Sequence, residues 1–161
     1  MRVLAYWYAH QTMRVKWGGS ISAPFGVSNG VRQGGILSPI LFNLYMDDLS
    51  AQLRACNTGC MVGETIVNHL MYADDLVVLS PSSAGLQQLL DICTVYGVQY
   101  DIKYNASKSA VLICRTKEDR RLNFPVFKLS DNNLEVWNKI KYLGHFVTDQ
   151  MTDDDDIYRQ C

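Results

Sequence analysis

The chain has 161 residues, of which 48% are hydrophobic, and a net charge of −1, so it is long enough for one globular domain with a real core. It has no apolar run of about 18 residues and no basic-then-apolar N-terminus, so neither a membrane-spanning helix nor a secretory signal is expected. The five cysteines are odd in number and irregularly spaced, which argues against a disulfide framework. We therefore expect an intracellular protein, cytoplasmic and/or nuclear.

The N-terminal third of the sequence predicts helix, hairpin, loop and helix in that order. Gly18-Gly19 joins two alternating runs, and because this dipeptide tolerates positive φ it favours a hairpin turn. Ser38 can cap a helix and Pro39 suits its first position, so a helix is predicted to begin there. The predicted elements are the end of a core-packed helix at 1–10, hairpin strands at 12–17 and 20–25, a glycine-rich loop at 26–35 and a helix at 39–55.

One acidic pair lies inside the helix predicted at 39–55. Tyr45-Met46-Asp47-Asp48 does not interrupt the helical pattern, because an apolar stripe with a period near 3.6 residues runs through it. The stripe consists of Leu41, Leu44, Tyr45 and Leu49. Asp47 and Asp48 are therefore predicted to lie mid-helix on its polar flank, in a structural role.

A second acidic pair has a different setting. The apolar, partly β-branched runs 66–71 and 76–79 flank Tyr72-Ala73-Asp74-Asp75, a pattern typical of a β-hairpin with acids at its tip. Neighbouring carboxylates in apolar surroundings repel each other unless a cation is present, and Mg²⁺ is commonly held by one or two carboxylates plus substrate phosphates. Taken alone, the pair is more typical of a solvated turn, and both interpretations stay open at this point.

The rest of the chain predicts an α+β layer in which helices cover one face of a mainly antiparallel sheet. The predicted elements are a helix at 84–96 ended by Gly97, a loop or extended segment at 98–105, a strand at 110–114, a charged surface turn at 117–121, strands at 124–129 and 134–137, and a hairpin at 139–147. Nine Lys and Arg against four acids lie between Lys103 and Lys141, which suits phosphate binding and a solvated face equally. Residues 149–161 are predicted to form a flexible acidic tail after a domain of 1–148.

Two blocks of the sequence carry a family resemblance. Tyr72-Ala73-Asp74-Asp75 with its apolar flanks resembles the Tyr-x-Asp-Asp signature of reverse transcriptases. The segment from Asn29 to Asn43, which contains Val31-Arg32-Gln33-Gly34-Gly35, is similar to the block that precedes this signature in non-LTR retrotransposons and group II intron proteins. Weaker agreement follows at Asn105-Ala106-Ser107-Lys108 and Tyr142-Leu143-Gly144. The resemblance implies a polymerase palm and template-directed nucleotidyl transfer by a two-metal mechanism.

The resemblance also implies roles for individual residues. Asp74 would be the principal ligand of Mg²⁺ or Mn²⁺ and Asp75 the supporting one, and Lys108 would assist the leaving pyrophosphate, although a surface lysine explains Lys108 as well. The implied substrate-binding residues are Arg32, Gln33, Gly34, Gly35, Tyr72 and Ala73, and the implied primer-binding residues are Tyr142, Leu143 and Gly144. The implied partners are an RNA template, a DNA primer and deoxynucleoside triphosphates, with no membrane.

The sequence departs from the family in one respect. The family's third carboxylate comes from a strand upstream of the glycine-rich block, and this sequence has no acid before Asp47. We therefore expect a palm truncated at its N-terminus, a missing N-terminal part of the polymerase domain as partner, and no polymerisation by the isolated chain. The alternative is a non-catalytic palm-fold remnant, or an interaction module that binds nucleic acid through 103–141.

Overall fold

A computed structural model of the chain describes residues 2–27, 30–114 and 123–160. The chain forms two compact units, Met1–Tyr45 and Met46–Cys161. The helices are α1 (Arg2–Ala9), α2 (Ser38–Ala55), α3 (Ser83–Gln99) and α4 (Asp154–Gln160). The strands are β1 (Thr12–Met13), β2 (Lys16–Trp17), β3 (Ser20–Ile21), β4 (Phe25–Gly26), β5 (Cys60–Val62), β6 (Thr65–Val67), β7 (His69–Tyr72), β8 (Asp75–Val78), β9 (Ala110–Leu112), β10 (Lys128–Leu129), β11 (Asn132–Asn133), β12 (Glu135–Trp137), β13 (Lys139–Tyr142) and β14 (His145–Thr148).

The predicted mixture of helices and mainly antiparallel strands is confirmed, with one difference in how the strands pair. Within the described residues the strands form seven two-stranded ladders rather than one continuous sheet. Six of the ladders are antiparallel, and the seventh pairs β9 with β12 in parallel. The parallel pair was not predicted, because its two strands are separated by more than twenty residues and nothing local specifies their partnership.

The N-terminal unit contains the predicted hairpin around Gly18-Gly19. Strands β2 and β3 pair directly across this turn, where Gly18 has a φ of 56°, and β1 pairs with β4 further from the turn. The prediction that 1–10 packs against a core is wrong for the helix found there: none of the residues of α1, all of which the structure describes, is buried. The high proportion of aromatic residues in this segment did not indicate whether another part of the protein would cover their side chains.

Helix α2 confirms the predicted helix and corrects its buried face. Met46, Leu49 and Leu53 are buried at helical spacing. Leu44 and Tyr45, members of the predicted stripe, are 66% and 41% exposed. The helix carries apolar residues on more than one face, so the packing of the unit that begins at residue 46 selects the buried face.

Helix α3 supplies the centre of the second unit. Leu89, Leu90, Cys93 and Tyr96 are buried on one face, and Leu86 at the same helical spacing is half-buried. The helix begins with Ser82, whose hydroxyl accepts a hydrogen bond from the backbone N–H of Gly85 at 3.1 Å. Gly97 does not end the helix, which continues to Gln99.

Close packing explains Gly97 instead. A Cβ atom at Gly97 would lie 2.8 Å from the carbonyl oxygen of Ile102 and 2.9 Å from the ring of Tyr104. A glycine in a helix interior is unfavourable by itself, so the close approach of the following loop accounts for this one. The loop itself falls within the predicted segment 98–105.

The strands β9 to β12 complete the core of the second unit. The backbone of Lys128 on β10 bonds the Gln87 side chain of α3 twice: its N–H donates to Oε1 at 2.9 Å and its carbonyl accepts from Nε2 at 3.0 Å. Four apolar side chains from this region are buried, namely Val111, Phe127, Leu129 and Leu134. The surface turn predicted at 117–121 lies outside the described residues.

Helix α4 lies where the sequence predicted an acidic tail. It packs against β14, with the Arg159 guanidinium 5.7 Å from the ring centroid of Phe146. The proposed domain boundary at 148 and the flexibility of 149–161 stay predictions. Among the helices that the structure describes, none is both long enough and apolar enough to cross a membrane.

Candidate active site

The hairpin β7–β8 presents the acidic pair that the sequence singled out. Its antiparallel register runs from His69 opposite Val78 to Tyr72 opposite Asp75. The predicted first strand at 66–71 is divided in the structure, because 65–67 pairs with β5 and only 69–72 pairs with β8. Asn68 lies between these two strands, and the hairpin is therefore shorter than expected.

The tip of this hairpin consists of Tyr72-Ala73-Asp74-Asp75, which we call the acidic tip. Ala73 and Asp74 are the two turn residues, and Asp75 is already part of β8. Ala73 has a φ of 51°, in the left-handed region that non-glycine residues rarely adopt. The two carboxylates are therefore not equivalent, since one belongs to the turn and the other to the strand.

The two faces of the β7–β8 ladder differ in exposure. Residues directly opposite each other share a face, so Tyr72 lies on the same face as Asp75. Tyr72 is 64% exposed, and Leu70 on the same face is also exposed. The opposite face carries His69, Met71, Leu76 and Val78, which are all half-buried. The face that bears Tyr72 and Asp75 is thus the more exposed one, although Val77 on this face is half-buried.

The donor set of the acidic tip suits a hard divalent cation. Asp74 and Asp75 are both exposed, and no salt bridge joins either to a cationic side chain in the part of the chain that the structure describes. The described residues contain no group of three or more His, Cys, Asp and Glu side chains placed to hold a metal. Two carboxylates fit a Mg²⁺ ion that completes its oxygen shell with water and substrate phosphate oxygens.

The other acidic pair has the helical position that the sequence predicted. Asp47 and Asp48 are exposed in the interior of α2. Asp47 forms a solvent-exposed salt bridge with Arg54, which lies seven residues later in the helix, and the nitrogen–oxygen distance is 3.9 Å. An exposed pair of this kind contributes at most about 1 kcal/mol. The same Tyr-x-Asp-Asp pattern therefore occurs once on a helix and once at a hairpin tip.

The glycine loop, residues 30–35 in the N-terminal unit, is closed by hydrogen bonds to one carbonyl. The carbonyl oxygen of Arg32 accepts from the hydroxyl of Ser38 at 2.5 Å and from the N–H of Gly35 at 3.0 Å. A Cβ at Gly35 would lie 2.6 Å from that hydroxyl, which explains the glycine. Ser38 begins α2 and uses its hydroxyl to close the loop, whereas the sequence had suggested a capping role.

The side chain of Arg32 is oriented by two neighbours within the same unit. Its Nε donates to Oε1 of Gln11 at 3.4 Å, and its guanidinium lies 5.1 Å from the ring centroid of Trp7. Gln33 and Gly34 are exposed, and Gly34 has a φ of 77°. The loop therefore combines a positioned cation with exposed backbone.

Lys108 lies in a turn of the second unit, immediately before β9. Its N–H donates to the carbonyl of Asn105 at 3.0 Å, and the hydroxyl of Ser107 donates to the Asn105 side chain at 2.7 Å. The Lys108 side chain is exposed. No hydrogen bond or salt bridge connects it to the acidic tip among the described residues.

The hairpin β13–β14 carries the third predicted group. Its register runs from Lys139 opposite Thr148 to Tyr142 opposite His145, as the sequence predicted for 139–147. Leu143 and Gly144 form the turn with φ values of 48° and 88°. Two left-handed residues are what a type I′ hairpin turn requires.

One feature of the candidate site was not recognised in the sequence. Asn68 is buried, and its side chain bonds both the carbonyl of Leu53 on α2 and the ring of His69. The available signal was a single amide in the otherwise largely apolar run 66–71, since buried polar groups are almost always hydrogen-bonded. His69 extends this bonded chain, because its Nε2 is bonded to the hydroxyl of Ser50 on α2.

Comparison with known proteins identifies relatives over most of the chain. The model of the family described as reverse transcriptase (RNA-dependent DNA polymerase) matches residues 2–147. The chain is 44% identical over 87 residues, 54% of its length and 8% of the relative's, to the Retrovirus-related Pol polyprotein from type-2 retrotransposable element R2DM of Drosophila melanogaster. It is 30% identical over 138 residues, 80% of its length and 19% of the relative's, to the Retrovirus-related Pol polyprotein from type-1 retrotransposable element R2 of Popillia japonica.

A third relative comes from another mobile element. The RNA-directed DNA polymerase from mobile element jockey of Drosophila funebris is 28% identical over 132 residues, 78% of this chain and 14% of the relative. The chain thus spans between 8% and 19% of the length of these three relatives. The matched segment includes both the glycine loop and the acidic tip.

Proposed function

The chain belongs to the reverse transcriptase (RNA-dependent DNA polymerase) family of non-LTR retrotransposons, and from this premise we propose that it forms the palm of an RNA-directed DNA polymerase. The proposed reaction adds deoxynucleotides to a DNA primer along an RNA template. The observation that carries the proposal is the acidic tip: two exposed carboxylates, one in the turn and one on the first residue of β8, lie at the end of a paired hairpin inside the segment that the family model matches.

Nucleotidyl transfer sets the chemical demands on this tip. The 3′ hydroxyl of the primer must lose its proton, and the charge on the triphosphate must be neutralised as pyrophosphate leaves. Divalent ions held by Asp74 and Asp75 would supply both effects as Lewis acids. In the proposed site Asp74 is the principal ligand and Asp75 the supporting one, as their family resemblance implies. The rigid ladder behind them limits the reorganisation that binding requires.

The more exposed face of the hairpin is the proposed approach for the primer end. Tyr72 and Asp75 share this face, so a sugar that packs on the Tyr72 ring lies beside the carboxylate. Ala73 contributes its backbone at the turn, where its small side chain leaves room for the nucleotide. Tyr72 is 64% exposed, so its ring is accessible to such a sugar.

Three further groups complete the proposal, each on its own turn. Arg32, Gln33, Gly34 and Gly35 are proposed to contact the templating base and the incoming nucleotide. Lys108 is proposed to stabilise the leaving pyrophosphate, a role that its exposed ammonium group supports. Tyr142, Leu143 and Gly144 are proposed to hold the primer strand.

We also propose that the 161-residue chain by itself does not extend a primer. The resemblance implies a third carboxylate from a strand before the glycine loop, and this sequence contains no acid before Asp47. Primer extension on an RNA template with Mg²⁺ or Mn²⁺, abolished by Asp74→Ala, would contradict this part of the proposal and leave the metal-binding part intact.

Binding of Mn²⁺ to the ¹⁵N-labelled chain tests the metal-binding part directly. Paramagnetic broadening of amide signals is expected at residues 73–75, and Asp74→Asn should weaken Mn²⁺ binding by at least about tenfold because one of two carboxylates is lost. Asp48→Asn provides the control, since it makes the same chemical change in the other Tyr-x-Asp-Asp sequence, on α2, without breaking the salt bridge of Asp47 with Arg54.

The outcomes separate the proposed enzyme from the alternative. Equal loss of Mn²⁺ binding in Asp74→Asn and Asp48→Asn would refute a specific site at the tip. Salt-dependent binding of a primer–template without any Mn²⁺ at the tip would favour the non-catalytic, nucleic-acid-binding module instead.

A further inference from the structure

Asn68 is a polar residue in an apolar part of the chain. It separates β6 from β7, and only 2% of its surface is exposed. A buried amide costs free energy unless its donor and its acceptor are both bonded, so its partners determine why it is there. The hydrogen-bond partners of Asn68 that the structure shows all belong to the second unit.

The Asn68 side chain joins the last turn of α2 to the base of the hairpin. Its Nδ2 donates to the carbonyl oxygen of Leu53 at 2.5 Å, and its Oδ1 accepts from the Nδ1–H of His69 at 2.7 Å. The Leu53 carbonyl lies in the last turn of the helix and also accepts from the N–H of Cys56 at 3.2 Å. Asn68 therefore shares a carbonyl at the end of α2 with Cys56 and also holds the first residue of β7.

Two further hydrogen bonds extend this chain of contacts in both directions. The backbone carbonyl of Asn68 accepts from the N–H of Leu79 at 2.8 Å, just past the end of β8. The Ser50 hydroxyl on α2 bonds Nε2 of His69 at 2.8 Å. Because Oδ1 of Asn68 only accepts, Nδ1 of His69 carries the proton and Nε2 accepts from Ser50. Asn68 and the first residue of β7 are thus bonded to α2, and the chain just past β8 is joined to Asn68 through the backbone.

The backbone of the segment before β5 comes close to Asn68. A Cβ at Gly59 would lie 2.7 Å from the Cβ of Asn68 and 2.9 Å from the carbonyl oxygen of Val67. Glycine at position 59 is therefore required by this close approach.

We propose that Asn68 is a positioning residue for the acidic tip: by bonding Leu53 and His69 it fixes the origin and direction of β7, and hence the place of Asp74 and Asp75. This inference rests on the proposed function for its purpose. It adds to that function a physical coupling between the acidic tip and α2, which one amide side chain provides.

Aspartate at position 68 is the informative substitution because it keeps the shape and removes the donor. The new carboxylate would face the Leu53 carbonyl, and two acceptors repel each other. It would also lie beside Nδ1 of His69. Burial, and secondarily the positive charge of Arg54, lowers the pKa of His69 in the present structure. An adjacent carboxylate acts in the opposite direction.

The test compares Asn68→Asp with Asn133→Asp in the full chain, using amide hydrogen exchange and ¹⁵N signals of the histidine rings. Asn133 is an exposed residue of β11, so its substitution makes the same chemical change outside the network. In Asn68→Asp, exchange of the amides in 70–76 should accelerate about tenfold, the effect of losing one buried hydrogen bond. Exchange in β13–β14 should not change, and the pKa of His69 should rise.

The readouts distinguish positioning from a general loss of stability. Acceleration throughout the second unit, or none in 70–76 despite an intact fold, would overturn the proposal. If Asn68→Asp does not fold, Ser50→Ala decides, since it removes only the outer bond to His69. A selective increase in exchange at 70–76 of about threefold supports the coupling, given the smaller effect of a half-exposed bond, and an unchanged rate refutes it.

Mn²⁺ titration of the same samples separates this inference from the proposed function. Wild-type protein that binds no Mn²⁺ at the tip would refute the proposed function, while the exchange data would still report on Asn68. If Mn²⁺ binds, Asn68→Asp should weaken it about tenfold, as substitutions behind metal ligands commonly do, and Asn133→Asp should not.

Discussion

Two hairpins of the second unit have the same design and opposite chemistry. Each has two strands of four residues, a tyrosine before a two-residue turn, and a first turn residue in the left-handed region. In β7–β8 the sequence at the turn is Tyr72-Ala73-Asp74-Asp75, and in β13–β14 it is Tyr142-Leu143-Gly144-His145. The first ends in two carboxylates, whereas the second has lysines along one strand.

The two turns can be compared at the residues that have a positive φ. Gly144 has a φ of 88°, a conformation that glycine adopts without strain. Ala73 holds a φ of 51° without that advantage. The position that matches Ala73 in the second hairpin is Leu143, which has a φ of 48° and carries the same kind of strain. The two turns therefore differ at their second residue, which is Gly144 in one and Asp74 in the other.

The hairpins are also anchored by different contacts. At the start of β7, His69 is bonded to Ser50 on α2 and to Asn68. At the start of β13, the ammonium group of Lys139 lies 4.7 Å from the ring centroid of Phe146 on β14, so this contact is made within the hairpin. Outside the hairpin, β14 packs against α4 and β13 lies against β9.

The largest expected effect concerns the charge of the second hairpin. Lys139 and Lys141 are exposed and lie two residues apart, so their side chains are on the same face of β13. Both can therefore contact the phosphates of a primer–template. The double substitution Lys139→Glu/Lys141→Glu should weaken primer–template binding by roughly ten- to a hundredfold near 0.1 M salt and reduce the salt slope by about two. Fluorescence anisotropy titrations at several salt concentrations measure both quantities.

A matched pair in the N-terminal unit controls for total charge. Arg14 and Lys16 are exposed residues in and beside β2, and reversing both changes the net charge by the same amount. Arg14→Glu/Lys16→Glu should leave most of the affinity intact. An equal loss in the two double variants would show that β13 has no specific part in binding.

The next effect concerns the turn geometry. Gly144→Ala places a Cβ in open space but at a left-handed φ, so only backbone strain opposes it. We expect a loss of about 1 kcal/mol in the free energy of unfolding, since a left-handed L-residue costs about 1–2 kcal/mol and the less flexible unfolded chain offsets part of it. Urea denaturation measures the change.

The reverse exchange sharpens the contrast between the turns. Ala73→Gly should raise the free energy of unfolding by about 0.5–1 kcal/mol, because glycine relieves the strain at φ 51°. Gly19→Ala serves as a neutral reference, since Gly19 has neither a positive φ nor a neighbour within 4 Å of its Cβ. Effects of the same sign for Ala73→Gly and Gly144→Ala would contradict the assignment of strain to the first turn.

The smallest expected effect is a pH dependence confined to the anchor of the acidic hairpin. Burial lowers the pKa of His69 below its ordinary value of 6.5, and Arg54 adds to this. The unfolded chain therefore binds the proton first as the pH falls, so the contribution of His69 to stability is complete above about pH 6.5 and is lost at lower pH. The loss should be below about 1 kcal/mol because the ring is partly exposed and solvent screens its charge.

Denaturation at pH 7.5 and 5.5 measures this contribution. The difference in unfolding free energy between the two pH values should be smaller in His69→Gln than in the wild type. Arg54→Gln should reduce it only in part, because Arg54 is the second cause of the pKa shift. A wild type and a His69→Gln variant with the same pH dependence would show that His69 is not the responsible group.

Local chemistry explains what could be predicted from the sequence. The turns at Gly18-Gly19, Ala73-Asp74 and Leu143-Gly144 were located from short patterns, because a hairpin depends on a few neighbouring residues. The limits of α2 and the start of α3 followed from periodicity and capping signals. The family followed from the order and spacing of the glycine loop and the acidic tip, and the match over 2–147 confirms it.

Tertiary contacts decided the rest, because each of these features joins residues that are distant in the chain. They selected Met46, Leu49 and Leu53 as the buried face of α2, although Leu44 and Tyr45 also belong to an apolar stripe with helical spacing. They paired β9 with β12 and divided the run 66–71 between two ladders. A sequence specifies turns and periodicity through neighbours, but an amide such as Asn68 acquires its role only when folding brings the carbonyl of Leu53 within hydrogen-bonding distance.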